Sequence, residues 1–418
     1  MRLLYTLTVA VYHIGVLIAS LFNKKAGLWV RGRRNLFAEM EKHGARLREG
    51  DTKLYWFHCA SLGEFEQGRP LIEKMREQHP GCRILLTFFS PSGFEIRKNY
   101  ADADLVCYLP VDYPSSARRF IELVRPDAVF FVKYEFWFNF IHHISAKKIP
   151  LYLVSANFRE DQYFFKWYGA WARRYLRSFT HIFVQAEESE RLLKRCGIVN
   201  VTESGDTRFD RVFEIARSAA EIPVVQQFAA GGFTIVAGST WPKDEELLSA
   251  LTLEMADTRL VIAPHEVGEG HLREIEQRFA RAGTVRFSQY SGQDKARVMI
   301  IDNIGMLSSL YRYGKIAYIG GGFGSGIHNI LEAAVYGMPV LFGPNHQKFR
   351  EADELITRGG AFTVRSAEDM RGRIAFLLSD LMLLKMASLA SENYVREKKG
   401  ATHKILRMVA LAGGQAHT

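Results

Sequence analysis

The sequence predicts an α/β chain of two doubly wound domains, each a parallel sheet wrapped by helices, with an apolar helix in front of them. Three observations predict it. Short apolar runs rich in β-formers alternate with helical patterns, the order that builds parallel sheets from β-α-β units. The alternation pauses around Glu221, Ile222 and Pro223 and then restarts. The length of 418 residues also exceeds what one hydrophobic core usually serves.

The elements follow in order. From Leu3 to Phe22 there is no Asp, Glu, Lys or Arg, a run of about the length needed to cross a bilayer once. Lys24, Lys25, Arg31, Arg33 and Arg34 come after it, against Arg2 and the amino terminus before it, which puts the body on the cytoplasmic side. A cleaved signal peptide is the competing reading; Ala19-Ser20-Leu21 lacks its small-x-small pattern. An in-plane amphipathic helix is a third. Residues 1–34 are therefore read as a membrane anchor and basic flank, 35–221 as the first domain and 222–418 as the second.

In the first domain, strands are expected at Leu54 to Cys59, Ile84 to Phe89, Leu105 to Leu109, Ala128 to Val132, Leu151 to Ser155 and His181 to Gln185. Helices are expected over Glu64 to Gln78, Pro114 to Val124, Glu135 to Ala146 and Glu187 to Arg195. The second domain offers strands at Thr234 to Ala237, Leu260 to Ala263, Val298 to Ile301, Ile316 to Ile319 and Val340 to Phe342. Met382 to Ala412 reads as mostly helical, with a polar tail.

Composition narrows the function classes. Hydrophobic residues at 48% and charged ones at 24% are ordinary globular values, which argues against long disorder. Fifty-five Lys plus Arg face 45 Asp plus Glu, a formal charge of +10 that points to an anionic partner: nucleic acid, phospholipid or a phosphorylated substrate. No nucleic-acid motif is present, and the anchor argues against that partner. Cys59, Cys82, Cys107 and Cys196 are too scattered for a C-x-x-C pair.

Ligands of doubly wound sheets bind beyond the carboxyl ends of the strands. The loops there carry Ser61, Gly63 and Glu64, Ser90 and Ser92, Glu135, Asn157 and Arg159, and Asp206 and Arg208 in the first domain. In the second they carry Ser239 and Thr240, His265 and Glu266, a glycine-rich run, and Asn345 and His346. Polar residues thus gather on one rim of both domains, as a cleft between them requires. The stretch Lys315 to Gly343 reads as strand, glycine loop, helix and strand, a phosphate cradle in which Gly322, Gly324 and Gly326 turn the backbone ahead of a helix starting near His328. Asn329 and Glu332, three apart, would share a helix face and offer a carboxylate to a ribose hydroxyl. Ser325 stands where G-x-G-x-x-G needs glycine, and no G-x-x-x-x-G-K-[ST] occurs, so neither a dinucleotide fold nor an NTP-hydrolysing P-loop is supported. Metal signals are equally poor: Glu269, not histidine, ends the would-be H-E-x-x-H at His265, and Asp102-Ala103-Asp104 reads as a turn.

Seven motifs in fixed order are more specific. They are Gly32-Arg33 after the anchor, H-C-A-S-L-G-E at His58 to Glu64, Y-E-F-W-F-N at Tyr134 to Asn139, V-S-A-N-F-R at Val154 to Arg159, G-D-T-R-F-D at Gly205 to Asp210, A-G-S-T at Ala237 to Thr240 and H-N-I-L-E-A-A at His328 to Ala334. With them the chain resembles, over nearly its whole length, the 3-deoxy-D-manno-octulosonic acid (Kdo) transferases of lipopolysaccharide synthesis, membrane-anchored glycosyltransferases of two-domain GT-B architecture. The resemblance implies that Glu64 is the general base on an acceptor hydroxyl, that the donor is CMP-Kdo and the acceptor a lipid A precursor, and that no metal or other cofactor takes part. Ser61, Gly63, Glu135, Asn157 and Arg159 are then expected at the acceptor. Ser239, Thr240, Gly322, Gly324, Gly326, His328, Asn329 and Glu332, with the cation of Arg208, are expected at the donor. Aromatic and basic residues interleave from Tyr163 to Arg177, a pattern suited in part to core and in part to the inner-membrane lipid surface. The rival readings are a GT-B envelope enzyme using a UDP-sugar and a noncatalytic membrane-bound scaffold with a nucleotide fold.

Overall fold

The structure, a computed structural model, describes residues 1–50, 52–292 and 295–414. Two compact units form, one of Met1–Arg211 with the segment from Gly400 onward, the other of Val212–Lys399.

The first unit is built on a seven-stranded sheet of β1 (Leu54–Cys59), β2 (Arg83–Phe88), β3 (Leu105–Tyr108), β4 (Ala128–Val132), β5 (Leu151–Ala156), β6 (His181–Val184) and β7 (Val201–Glu203), ordered β3-β2-β1-β4-β5-β6-β7. The pairings are parallel. Central strands read as continuous apolar runs because helices cover both faces; every residue of β4 is buried. The second unit carries β8 (Phe233–Thr240), β9 (Thr258–Pro264), β10 (Thr284–Arg286), β11 (Val298–Ile300), β12 (Ile316–Ile319), β13 (Val340–Phe342) and β14 (Ala361–Thr363), ordered β10-β11-β9-β8-β12-β13-β14 and again parallel.

Chain order reverses between β1 and β4 in the first sheet and between β8 and β12 in the second. At such switch points the loops leave in opposite directions and open a crevice at the strand ends, where ligands bind. In this chain the loops at the two points are those holding Ser61 to Glu64 with Tyr134 to Trp137, and Thr240 to Trp241 with the glycine run.

Several expectations are corrected. The strands without a sequence expectation, β7, β10 and β14, have three residues each and lie at sheet edges. After β4 the helix begins at Phe138, leaving Glu135 to Trp137 in an irregular turn. The 222–418 span is not one unit, because Gly400 at φ +116 breaks the C-terminal helices and Ala401–Gly414 joins the first unit. There Ile405 and Leu406 enter the core beside Phe57 and Val132, and the Asp210 carboxylate accepts the Thr402 amide at 2.7 Å. The expected polar tail, residues 415–418, lies outside the described residues.

The N-terminal helix, Arg2–Ala19, is long and apolar enough to cross a membrane, and it also packs on the first unit along one stripe. The Tyr5 hydroxyl donates to Asp112 Oδ2 at 2.7 Å, and His13 Nδ1 lies 3.0 Å from the Tyr113 hydroxyl. Leu3, Leu4, Leu7, Val11, Ile14 and Ile18 form the exposed, apolar side. Asp112 is buried and also accepts the Asn139 and Phe140 amides; burial pushes its carboxyl up to about 6. Arg33 is no surface cation either. Its guanidinium donates to the carbonyls of Trp29, Phe89 and Leu109 and lies 3.9 Å from the Trp29 ring centroid, so carbonyls and aromatic faces stand in for an acid.

Candidate active site at two switch points

In the first unit β1 ends in Cys59 and the chain turns into the helix Leu62–Gln78. Ser61 is its cap and Glu64 its third residue, and the two form a capping box: Glu64 Oε2 accepts the Ser61 amide at 2.9 Å and the Ser61 hydroxyl at 3.3 Å. Among the described residues Glu64 Oε1 takes no hydrogen bond. Burial, then the neighbouring Glu135, raises the Glu64 pKa above the ordinary carboxylate value; His58, the Ser61 amide and Lys133 draw it back in part. A carboxylate held in this way is a stronger base than one in water.

Glu135 is itself buried and bound. His58, fully buried on β1, places Nε2 2.9 Å from Glu135 Oε2, while its Nδ1 lies 2.8 Å from the Thr87 hydroxyl. Trp137 Nε1 donates to the same Glu135 oxygen at 2.5 Å. The irregular turn after β4 makes this possible, since Lys133 at φ +67 aims Tyr134 and Glu135 back over the strand ends. A cavity of about 430 Å³ opens beside them, lined by Glu135 and by aromatic side chains including Tyr5, Phe136, Trp137, Tyr163 and Phe164.

The other expected acceptor residues are less committed to one point. Gly63 is exposed on the first turn of the Glu64 helix. Asn157 accepts the Ser189 hydroxyl at 3.0 Å, and exposed Arg159 pairs with Asp161 at 3.4 Å. Burial raises the pKa of the Tyr134 hydroxyl, with Arg159 drawing it down and Glu64 adding to the rise. Arg208, expected with the donor group, lies in the first unit, where its guanidinium is 2.7 Å from Asp206.

In the second unit the strand end of β8 carries Ser239 at φ +54, then Thr240, whose buried hydroxyl donates to Glu245 Oε1 at 3.0 Å. Asp244 organises the facing glycine loop. Its carboxylate accepts the Tyr318 hydroxyl at 2.7 Å, the Gly321 amide at 2.9 Å and the Trp241 amide at 3.0 Å. The loop is not followed by a helix at His328: residues 326–329 are irregular, and the helix is only Leu331–Ala334, with Asn329 Oδ1 accepting the Leu331 amide at 3.2 Å. Four residues carry almost no macrodipole, so the expected anion site at a helix start is withdrawn. Packing also explains much of the glycine content. A Cβ at Gly322 would lie 2.5 Å from the Gly343 amide nitrogen, whereas at Gly324 the nearest atom would be 3.6 Å away. Glu332 accepts Asn329 Nδ2 at 2.9 Å, but Asn329 precedes the helix, so the two meet through their side chains and not on one helix face; His328 receives Trp241 Nε1 at 3.2 Å.

Comparison with known proteins settles the family. Residues 33–211 match the family described as 3-deoxy-D-manno-octulosonic-acid transferase (kdotransferase). The 3-deoxy-D-manno-octulosonic acid transferase of Aquifex aeolicus is 31% identical over 360 residues, covering 84% of this chain and 92% of that one. The chain belongs to the Kdo transferase family. The Bordetella pertussis transferase, 26% identical over 406 residues, spans 91% of this chain and 94% of its own. Among solved structures, UDP-GlcNAc 2-epimerase from Neisseria meningitidis aligns over 86% of this chain and all of its own with a TM-score of 0.61 at 15% identity, a likeness of fold alone. The architecture is GT-B, and the chain is a glycosyltransferase.

Sequence reasoning assigned no role to His58, Lys133, Trp137, Trp241 or Asp244 in this Kdo transferase. His58 and Trp137 stood inside quoted motifs, where an apolar setting hides that a buried imidazole and indole each need a polar partner. Asp244 looked like an ordinary first-turn helix acid.

Proposed function

We propose that the chain transfers Kdo from CMP-Kdo to a sugar hydroxyl of a lipid A precursor, on the cytoplasmic face of the inner membrane, as a step of lipopolysaccharide synthesis. The observation that carries this reading is the desolvated Glu64 carboxylate at a switch point, with Oε2 tied to Ser61 and Oε1 without a hydrogen bond among the described residues. A sugar hydroxyl is a poor nucleophile, and a carboxylate within hydrogen-bond reach removes its proton as the new bond forms. In the proposed step the acceptor oxygen bonds to the anomeric carbon of Kdo, its proton passes to Glu64, and CMP leaves with the electron pair of the broken carbon–oxygen bond.

Ser61, Gly63, Glu135, Asn157 and Arg159 are assigned to the acceptor in this proposal. Ser239, Thr240, Gly322, Gly324, Gly326, His328, Asn329 and Glu332 are assigned to the donor, with Glu332 on the ribose and Arg208 on the phosphate. The step invokes no metal and no other cofactor. The exposed apolar side of helix Arg2–Ala19 and the exposed cations Lys24 and Lys25 support a role at a lipid surface. The test is transfer by the full chain from CMP-Kdo to detergent-dispersed lipid A precursor, read by product mass. CMP should protect the protein in a thermal shift and UDP should not; the reverse order would replace the donor with a UDP-sugar.

A further inference from the structure

Three rings stand face to face at the carboxyl ends of the second sheet. Trp241, after β8, stacks on His265, after β9, with centroids 4.6 Å apart and planes 25° apart. His265 stacks in turn on His328, after the glycine loop, at 4.6 Å and 26°. The Trp241 indole N–H closes the group on His328 Nε2 at 3.2 Å, so in that bond Nε2 is an acceptor and the His328 ring is the neutral tautomer with its proton on Nδ1. A Cβ on Gly321 would lie 3.1 Å from His328 Cδ2, so the imidazole rests on the loop itself.

Two of the carboxylates near this stack, Asp244 and Glu245, are already occupied. Asp244 holds the Tyr318 hydroxyl and the Gly321 and Trp241 amides. Glu245 takes the Thr240 hydroxyl and His271 Nε2 at 2.9 Å. Glu266, next to His265 in sequence, is exposed. Burial, then His265, holds the His328 imidazole below its ordinary value, while Asp244 acts weakly in the other direction. Two imidazoles in contact repel once both are charged, and among the described residues no carboxylate accepts a hydrogen bond from either ring.

We propose that His265 and His328 form a proton-gated anion receptor of the donor site, taking up a proton as the phosphate of the nucleotide docks on the exposed edge of the stack. This rests on the donor reading above and adds to it a dependence on pH. A bound phosphate favours the imidazolium, so affinity rises as pH falls through the ordinary imidazole range. A charge-assisted hydrogen bond replaces a neutral one, a gain of about tenfold.

The experiment is calorimetric titration of the full chain with CMP from about pH 5.5 to 8, in buffers of different protonation enthalpy, beside His265→Gln and His328→Gln. Because the CMP phosphate titrates in the same range, the reading is the ratio of wild-type to variant affinity. That ratio should fall about tenfold toward high pH, and the variants should lose the proton uptake of the wild type. A ratio constant with pH, with CMP still bound by all three proteins, overturns the receptor and leaves the donor reading standing. Absence of CMP binding by the wild type at every pH overturns both.

Discussion

Replacing Glu64 by Gln separates the two jobs of its carboxylate. Oε2 caps its own helix through the Ser61 amide at 2.9 Å and hydroxyl at 3.3 Å, and a Gln carbonyl oxygen can accept both. The variant should therefore keep most of the roughly 1 kcal/mol that such a cap contributes. Basicity is lost outright. Turnover should fall about a hundred- to ten-thousandfold, equivalent to about 2.7 to 5.4 kcal/mol of transition-state stabilisation, with CMP affinity almost unchanged. The pH profile has a defined sign. Burial and Glu135 raise the Glu64 pKa, and the active form is the carboxylate, so wild-type kcat/KM should climb with pH through that raised value and then level off. The same shift means that the folded chain holds this proton more tightly than the unfolded chain does. Wild-type stability therefore drops as pH rises through the folded pKa, and the Gln variant escapes that drop; the two should converge below the ordinary value of 4.5. Steady-state transfer by mass spectrometry, CMP calorimetry and thermal denaturation of both proteins across pH give the test. More than half of normal turnover in the variant would refute the base. Turnover lost together with several degrees of Tm would show that Glu64 acts through the cap instead.

Three further outcomes are expected. Gly322→Ala, whose Cβ would meet the Gly343 amide nitrogen at 2.5 Å, should lower Tm and CMP affinity together, whereas Gly324→Ala, with 3.6 Å of room, should fold like the wild type; equal Tm values would contradict the packing account of the loop. Glu332→Ala should weaken CMP binding about five- to a hundredfold without changing the fold, and unaltered affinity in calorimetry would reject the ribose assignment. Tyr5→Phe removes a 2.7 Å bond to buried Asp112 worth about 1.5 to 3 kcal/mol, so residues 2–19 should exchange amide hydrogens and be cut by protease faster. Wild-type protection in that variant would mean that the helix is held by other contacts.

Regular structure was legible in the sequence where burial forces it. β1, β4, β12 and β13 have their expected limits because a strand covered on both faces must be largely apolar and is bounded by turn residues. β7, β10 and β14 escaped because a three-residue edge strand buries too little to leave a pattern. Ser61 and Glu64 were placed after β1 because the apolar run ahead of them marks the strand, but the helix expected from Glu64 starts at Leu62. The Glu135 network was not legible: it depends on a left-handed Lys133 and on an imidazole from β1 and an indole from the β4 loop meeting one carboxylate, none of which has a fixed spacing. The helix expected at His328 failed for a related reason. Glycine spacing says where a chain can turn, but Gly326 at φ +134 and the Asn329 side chain, which accepts the Leu331 amide, leave the helix to start only at Leu331.

Left-handed residues recur at strand ends in both sheets. Lys133 at φ +67 follows β4, Ser155 at φ +55 bulges β5, and Ser239 at φ +54 bulges β8. Each such conformation costs roughly 1 to 3 kcal/mol for a residue with a Cβ and persists only where its surroundings hold it. Here the holding bonds are visible: the Lys133 amide donates to Val154 O at 2.8 Å, and the Ser155 and Thr207 hydroxyls lie 3.1 Å apart. An unstrained strand would carry residues 134 and 135 straight on, along the line of β4 and away from the crevice beside β1. The kink instead brings the Glu135 carboxylate to His58 and next to Glu64, and the Ser239 bulge turns the Thr240 hydroxyl inward to Glu245 and the Trp241 indole toward His328. Local stability is thus lowered at the strand ends bordering the two switch points, where aiming a side chain at a ligand matters more than continuing a strand.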